Sequence, residues 1–198
     1  MKLPQRFYLQ KDVVQVARQL LGKILCTNSD GIFCSGIITE TEAYNGIVDK
    51  ASHAFGGRRT KRTEIMYAEG GIAYVYLIYG IRSLFNVVTN NRDIPHAVLV
   101  RAIRPLEGID IMEQRRGMKA DYRGFTSGPG SLSQALGIHY SHTGKSLSGD
   151  EIWIEDRKIN IHEHQITAGP RIGVAYAGED AMLPYRFLIN TPVVTRLK

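Results

Sequence analysis

The 198-residue chain contains only two cysteines, Cys26 and Cys34. They lack the paired spacing of a zinc site, and one bridge could not staple a domain of this size. Both read as buried thiols in a reducing compartment. No apolar run approaches the roughly 18 residues of a membrane-spanning helix. Nothing after Met1-Lys2-Leu3-Pro4 is long and apolar enough for a signal peptide. A cytoplasmic protein without a membrane role is expected. The six histidines do not cluster. His139 with His142, and His162 with His164, lack acids or cysteines in a metal-binding order, so no metal is assigned. Gly128-Pro129-Gly130 lacks the Gly-Lys-Ser/Thr ending of a phosphate loop, which argues against nucleoside triphosphate use. Its amides at a helix start could still receive a phosphate. Repeats and low-complexity stretches are absent, and no linker divides the chain.

Positive charge is in surplus. Lys and Arg total 25 against 19 acids, a formal charge of +6. Such a surplus favours nucleic acid or an anionic membrane as partner. Hydrophobic residues make up 43%, enough for one sizeable core, which excludes a disordered chain.

The pattern alternates short strands and helices. Val13 to Leu25 has helical spacing, with Asp12 as N-cap. Gly22 offers an earlier stop that would leave Ile24-Leu25-Cys26 as a strand start. Ile32 to Tyr44 reads as a strand ended by Asn45-Gly46. Ala54 to Glu64 reads as a flexible basic loop. Strands follow at Ile72 to Ile78, Ser83 to Thr89 and Ala97 to Ile103, with turns at Tyr79-Gly80 and Asn90-Asn91. Short turns favour antiparallel pairing. Pro105 is placed in the first turn of a helix that ends at Arg116 and Gly117. A second helix follows Gly130, with Ser131 and Gln134 as a capping box. Ile152 to Ile154, Arg171 to Val174 and Arg186 to Ile189 read as later strands. The expected fold is one compact mixed α/β domain spanning residues 1–198, built on an antiparallel sheet with flanking helices.

Several residues in this frame could carry chemistry. Glu40, Glu42 and Tyr44 share one face of a strand. Acids facing a core are expensive, whereas on a solvent face they need no explanation. A carboxylate there could act as general base and steady a developing positive charge without a metal. His53 follows the small pair Ala51-Ser52, which leaves room for a ligand; a satisfied structural histidine is the plainer alternative. Tyr74 and Tyr76 share a face, and Tyr79 has the opposite parity. Strand tyrosines often reflect β-propensity alone, but Tyr44 and Tyr76 could sandwich a flat ring. Tyr79 could project as a wedge that holds open a flipped-nucleotide gap. Asn86 and Arg101, on later strands, either satisfy local polarity or line the same cavity. Arg58, Arg59, Lys61 and Arg62 form either a solvated loop or a surface for DNA phosphates.

The motifs Thr39-Glu40-Thr41-Glu42-Ala43-Tyr44, Tyr74-Val75-Tyr76-Leu77-Ile78-Tyr79-Gly80, Leu99-Val100-Arg101-Ala102 and Ser127-Gly128-Pro129-Gly130-Ser131-Leu132 occur in this order. With them the chain resembles the alkyladenine type of 3-methyladenine DNA glycosylase over nearly its whole length. The resemblance implies a mixed α/β domain around a curved antiparallel sheet. It implies a monomeric base-excision-repair enzyme that flips alkylated or deaminated purines out of duplex DNA and hydrolyses the N-glycosidic bond. The implied substrates are 3-methyladenine, 7-methylguanine, hypoxanthine and ethenoadenine. No cofactor and no Schiff-base lysine is called on, so the product is an intact abasic strand for other enzymes to process. By motif, Glu42 resembles the water-activating base, Arg101 its companion and Ile172 its backbone partner. Tyr44, His53 and Tyr76 resemble the walls of a base pocket, and Tyr74 the residue that holds His53. Asn86 and Leu99 resemble residues that reject guanine and shape the floor, and Tyr79 the intercalating residue. Ser52 departs from the alanine found there in the vertebrate form, which bears on substrate range. The long N-terminal extension of vertebrate relatives is missing. A non-enzymatic nucleic-acid binder and an RNA-modifying enzyme are the competing expectations.

Overall fold

Helix α1 (Gln5–Tyr8) and helix α2 (Val13–Leu20) open the chain. The side chain of Asp12 accepts the N–H groups of Val14 and Gln15 at 2.9 and 3.1 Å, capping α2. The helix buries Val13, Val16, Ala17 and Leu20. It stops before Leu25 because Gly22 takes φ +79 and sends its N–H to the carbonyl of Ile38. This is the earlier of the two stops that the sequence allowed. The computed structural model describes residues 1–190.

Among the described residues, eight strands form one antiparallel sheet: β1 (Ile24–Ser29), β2 (Ile32–Tyr44), β3 (Ala73–Ile78), β4 (Arg82–Thr89), β5 (His96–Glu107), β6 (Ile152–Glu155), β7 (Ile166–Gly169) and β8 (Arg186–Ile189). The order is β3-β4-β5-β2-β1-β6, with β8 beside β2 and β7 beside β8. The long β2 is the trunk. Its first half pairs with β1, and its second half, Glu40 to Glu42, pairs with β8. The other edge of β2 pairs with β5 from Ser35 to Tyr44. The result is a compact mixed α/β protein, as expected from the sequence. Among the described residues no helix is long and apolar enough to cross a membrane.

Strand parity sorts the sheet into two faces. Ala43, Ala73, Val75, Phe85, Val87, Val98 and Val100 point into the main core. They pack there with α2, with helix α3 (Ile109–Arg116) and with helix α4 (Pro129–Leu136). Their neighbours Glu42, Tyr44, Tyr74, Tyr76, Asn86, Leu99 and Arg101 therefore fall on the opposite face. That face is only partly filled, by a small cluster that includes Ala54, Met66 and Tyr74.

Three expected boundaries are corrected. Pro105 lies inside β5, not in a helix. At that point β5 pairs with β2 alone, since its pairing with β4 ends at Leu99, so the missing N–H breaks no ladder on the open side. Helix α3 starts later, after Gly108 in the left-handed conformation. Ser131 does not cap α4: Gly128 is the N-cap and Pro129 the first helical residue. Proline suits that position because its fixed φ is helical and its missing N–H would be unbonded anyway. Gln134 instead donates to the carbonyl of Arg115. Arg171 to Val174 form no strand. Gly173 takes φ +79, and the N–H of Ile172 bonds a side chain. Strand β7 was not anticipated, as its four residues show no clean alternation.

Candidate active site

The partly filled face holds a cavity of about 380 Å³. Its walls include Tyr44, Ala51, His53, Tyr74, Tyr76, Asn86, Leu99, Arg101, Ile172 and Tyr176. Four strands and two loops thus meet at one space. Leu99 explains part of the convergence, because it pairs with Glu42 on one side and with Asn86 on the other.

Glu42 lies beneath the cavity with no exposed side-chain surface. It is not on a solvent face, so its charge needs compensation. Its Oε2 accepts the Tyr44 hydroxyl at 2.8 Å. Its Oε1 accepts the Ile172 N–H at 2.8 Å and lies 3.3 Å from Arg101 Nη1. Arg101 also donates from Nε to Glu40 at 2.9 Å, and Arg186 donates to the same Glu40 oxygen at 2.6 Å. Two acids on one face are therefore held by two guanidinium groups. Irregular pairing around Glu40 produces this arrangement: Ala102 faces Glu40 and Val100 faces Thr41, which leaves Arg101 without a register partner.

His53 sits on the wall. Its Nδ1 is 2.9 Å from the Tyr74 hydroxyl, and its ring meets Tyr76 edge-on at 4.8 Å. Burial, followed by the nearby Arg62 and Arg58 charges, lowers its pKa to about 4. The imidazole is neutral at neutral pH. Burial and then Glu42 push the Tyr44 phenol well above its ordinary value. It remains a hydroxyl and donates to the acid. Burial also raises the Tyr76 phenol.

Tyr79 stands apart. It lies beyond the end of β3 at φ 52, is 89% exposed, and has 83%-exposed Ile81 nearby. A bulky side chain rarely adopts a positive φ. Here Tyr79, Gly80 and Ile81 form the tight hairpin turn between β3 and β4, which leaves the ring exposed. Asn86 is buried, and its amide donates to the carbonyls of Tyr74 and Leu84.

The basic loop is partly ordered by its own contacts. Arg59 grips both oxygens of Glu64, reaches Asp93 and covers the Tyr67 ring. Arg58, Lys61 and Arg62 have no carboxylate partner among the described residues. Arg62 lies over Tyr76 at 4.9 Å and 3.4 Å from His53 Nε2. A second cleft on the far side of His53 is lined by Lys50, Arg58 and Arg62. Ser52 faces this cleft, and its hydroxyl accepts the Ala54 N–H, so the hydroxyl is turned toward its own loop.

Sequence reasoning did not identify Asp49, Arg171, Tyr176 or Arg186 as part of the site. Arg171 adjoins Ile172, but its partner Asp49 is 122 positions away, beyond any local spacing signal. A wider groove of about 860 Å³ lies between the first residues and residues 156–166. Among the described residues Phe7 is its only aromatic lining residue, and it holds no comparable acid–aromatic array. Among the described residues, no three His, Cys, Asp or Glu side chains gather as a metal site.

Residues 6–192 match the family model described as methylpurine-DNA glycosylase. A Chlamydia felis protein provisionally named 3-methyladenine DNA glycosylase is 49% identical over 189 residues, 95% of this chain and 96% of its own. A similarly named Chlamydia abortus protein is 49% identical over 95% of this chain and 98% of its own. A third, from Bacillus cytotoxicus, is 44% identical over 99% of this chain and all of its own length.

Proposed function

This chain belongs to the methylpurine-DNA glycosylase family and is a DNA glycosylase, and from that premise we propose that it flips a damaged purine from duplex DNA into the cavity and hydrolyses its N-glycosidic bond. The observation that carries this reading is the buried Glu42, held by two hydrogen-bond donors and the Arg101 guanidinium beneath an aromatic pocket. Tyr44, Tyr76 and His53 offer flat surfaces for an extruded base. The substrates are 3-methyladenine, 7-methylguanine, hypoxanthine and ethenoadenine. An alkylated purine carries positive charge, and a deaminated one gains a proton, which makes either a better leaving group.

Cleavage builds positive oxocarbenium character on the sugar. The Glu42 carboxylate favours that charge electrostatically. Its contact with Arg101 is the loosest of the three, at 3.3 Å. A water entering there is held by the acid and the guanidinium together. Glu42 takes its proton as it attacks. Arg101 orients that water, and Ile172 and Tyr44 keep the carboxylate in place. Tyr74 holds His53. Asn86 and Leu99 limit which bases fit. Tyr79, exposed at the hairpin turn, fills the gap left in the duplex.

Arg58, Lys61 and Arg62 contact the DNA backbone. Arg59, bound to Glu64 and Asp93, braces the loop that presents them. Among the described residues no lysine lines the pocket, which supports hydrolysis without a Schiff base or strand cleavage. The enzyme acts as a monomer on chromosomal DNA in the cytoplasm. It leaves an abasic site for enzymes that process such sites.

A base-release assay on duplex DNA carrying one hypoxanthine tests this reading. Free purine and a strand that breaks only after alkali are expected. Failure to release any defined damaged purine refutes the reading, and strand breakage without alkali refutes its hydrolytic form. A matched RNA duplex should be processed far more slowly; equal rates assign the activity to RNA.

A further inference from the structure

An ion pair without a solvent path lies behind the pocket. The side chains of Arg171 and Asp49 are 0% and 1% exposed. The Arg171 guanidinium meets both carboxylate oxygens of Asp49. It also donates to the carbonyl of Ala43 at 2.8 Å and to that of Asp180 at 3.1 Å. Its Cζ lies over the Tyr44 and Tyr185 rings, 4.9 and 5.2 Å from their centroids. Asp49 accepts the N–H groups of Asn45 and Ala51 at 3.0 and 2.9 Å. One pair thus joins the end of β2, the loop that carries His53, the segment around Ile172 and the approach to β8.

Stability is a weak reason for such a pair. Removing two charges from water is costly, and apolar replacements of similar volume often stabilise a protein as well. Position is a better reason. The residue after Arg171 is Ile172, whose N–H bonds Glu42 Oε1. The ring beside the guanidinium is Tyr44, whose hydroxyl bonds Glu42 Oε2. Both hydrogen-bond donors to the carboxylate therefore depend on where this guanidinium sits.

We propose that Arg171, braced by Asp49, is a positioning residue for glycosidic cleavage: it fixes the Ile172 amide and the Tyr44 hydroxyl that aim Glu42. The proposal rests on the reading of Glu42 as the acting carboxylate. Arg171 does not touch the substrate and acts only through these two groups. Small misplacements of an acting group can cost up to about a hundredfold in rate.

The test measures single-turnover excision of 7-methylguanine from duplex DNA with enzyme in excess. The positive charge of this base keeps residual rates measurable. Arg171→Lys keeps the charge but loses the planar fork and the stacking. It should slow excision at least about tenfold while duplex affinity stays within about threefold. The double variant Asp49→Asn/Arg171→Gln leaves no unpaired buried charge and should show the same split if Arg171→Lys folds poorly. In a Glu42→Gln background, Arg171→Lys should cost no further rate, since the group it positions is gone. A merely structural role would cost the same in both backgrounds, and that outcome overturns the proposal. So do wild-type rates in both Arg171 variants alongside a slow Glu42→Gln, which leaves the reading of Glu42 intact. A wild-type rate in Glu42→Gln itself overturns that reading and this proposal with it.

Discussion

Replacing Glu42 with glutamine changes the site by one charge and almost no volume. The carboxylate accepts from the Ile172 N–H and the Tyr44 hydroxyl and lies 3.3 Å from the Arg101 guanidinium. Glutamine brings one acceptor oxygen and one donor amide. With its oxygen toward Ile172 and Arg101, its amide faces Tyr44, whose hydroxyl then turns to accept. The hydrogen bonds survive, weaker and uncharged, and Arg101 keeps Glu40. The stability cost should be about 1–2 kcal/mol, and the pocket walls should stay in place. Chemistry should suffer more. Loss of a general base is worth about 10²–10⁴ in rate, or roughly 3–5 kcal/mol of barrier. Single-turnover excision of hypoxanthine, read as alkali-labile strand, gives the rate, and fluorescence anisotropy gives Kd for the same duplex. Excision should fall by at least about a hundredfold with Kd within a few-fold of wild type. Excision within threefold of wild type would falsify the catalytic assignment. Equal losses in rate and affinity would point instead to a collapsed pocket.

Tyr79→Ser should leave folding intact, because the ring is exposed, and should lower the flipping equilibrium by about 1–3 kcal/mol. Stopped-flow fluorescence of an ethenoadenine duplex measures this, and unchanged forward and reverse flipping in a stable pair removes the wedge role. Binding to undamaged duplex should weaken as salt rises, with a negative log–log slope. Neutralising Lys61 and Arg62 together should make that slope shallower by up to about 2; the same slope in the variant places the phosphate contacts elsewhere. His53 should make stability depend on pH. Its folded pKa of about 4 lies below the ordinary 6.5, so below pH 6.5 the unfolded chain binds a proton that the folded one does not. Its contribution is full above pH 6.5 and falls by up to about 3 kcal/mol as pH drops toward 4. His53→Gln should flatten that part of the stability curve in urea melts, and an identical acid limb would place His53 in a solvated setting.

The sequence determined which residues share a face. A strand alternates whatever it pairs with, so the parity of Glu42 and Tyr44 and of Tyr74 and Tyr76 was legible before any pairing was known. Tyr79-Gly80 marked the bend that exposes the Tyr79 ring, and Asp12 and Gly22 bounded α2. These are local signals, set by covalent geometry and by neighbours a few positions away. Tertiary structure decided the rest. Pro105 stays in a strand because β5 there has one free side, a fact about distant β4. Ile172 leaves its expected strand because its N–H meets a carboxylate 130 positions away. The Arg171–Asp49 pair has no local spacing at all. Glu42 alternates equally well toward water or toward a pocket; only the convergence of β5, β8 and the loop at 171–173 buries its charge and surrounds it with donors. Periodicity fixes direction along a strand, but burial and ion pairing depend on which distant segments arrive on that side, and the packing of the whole chain decides that.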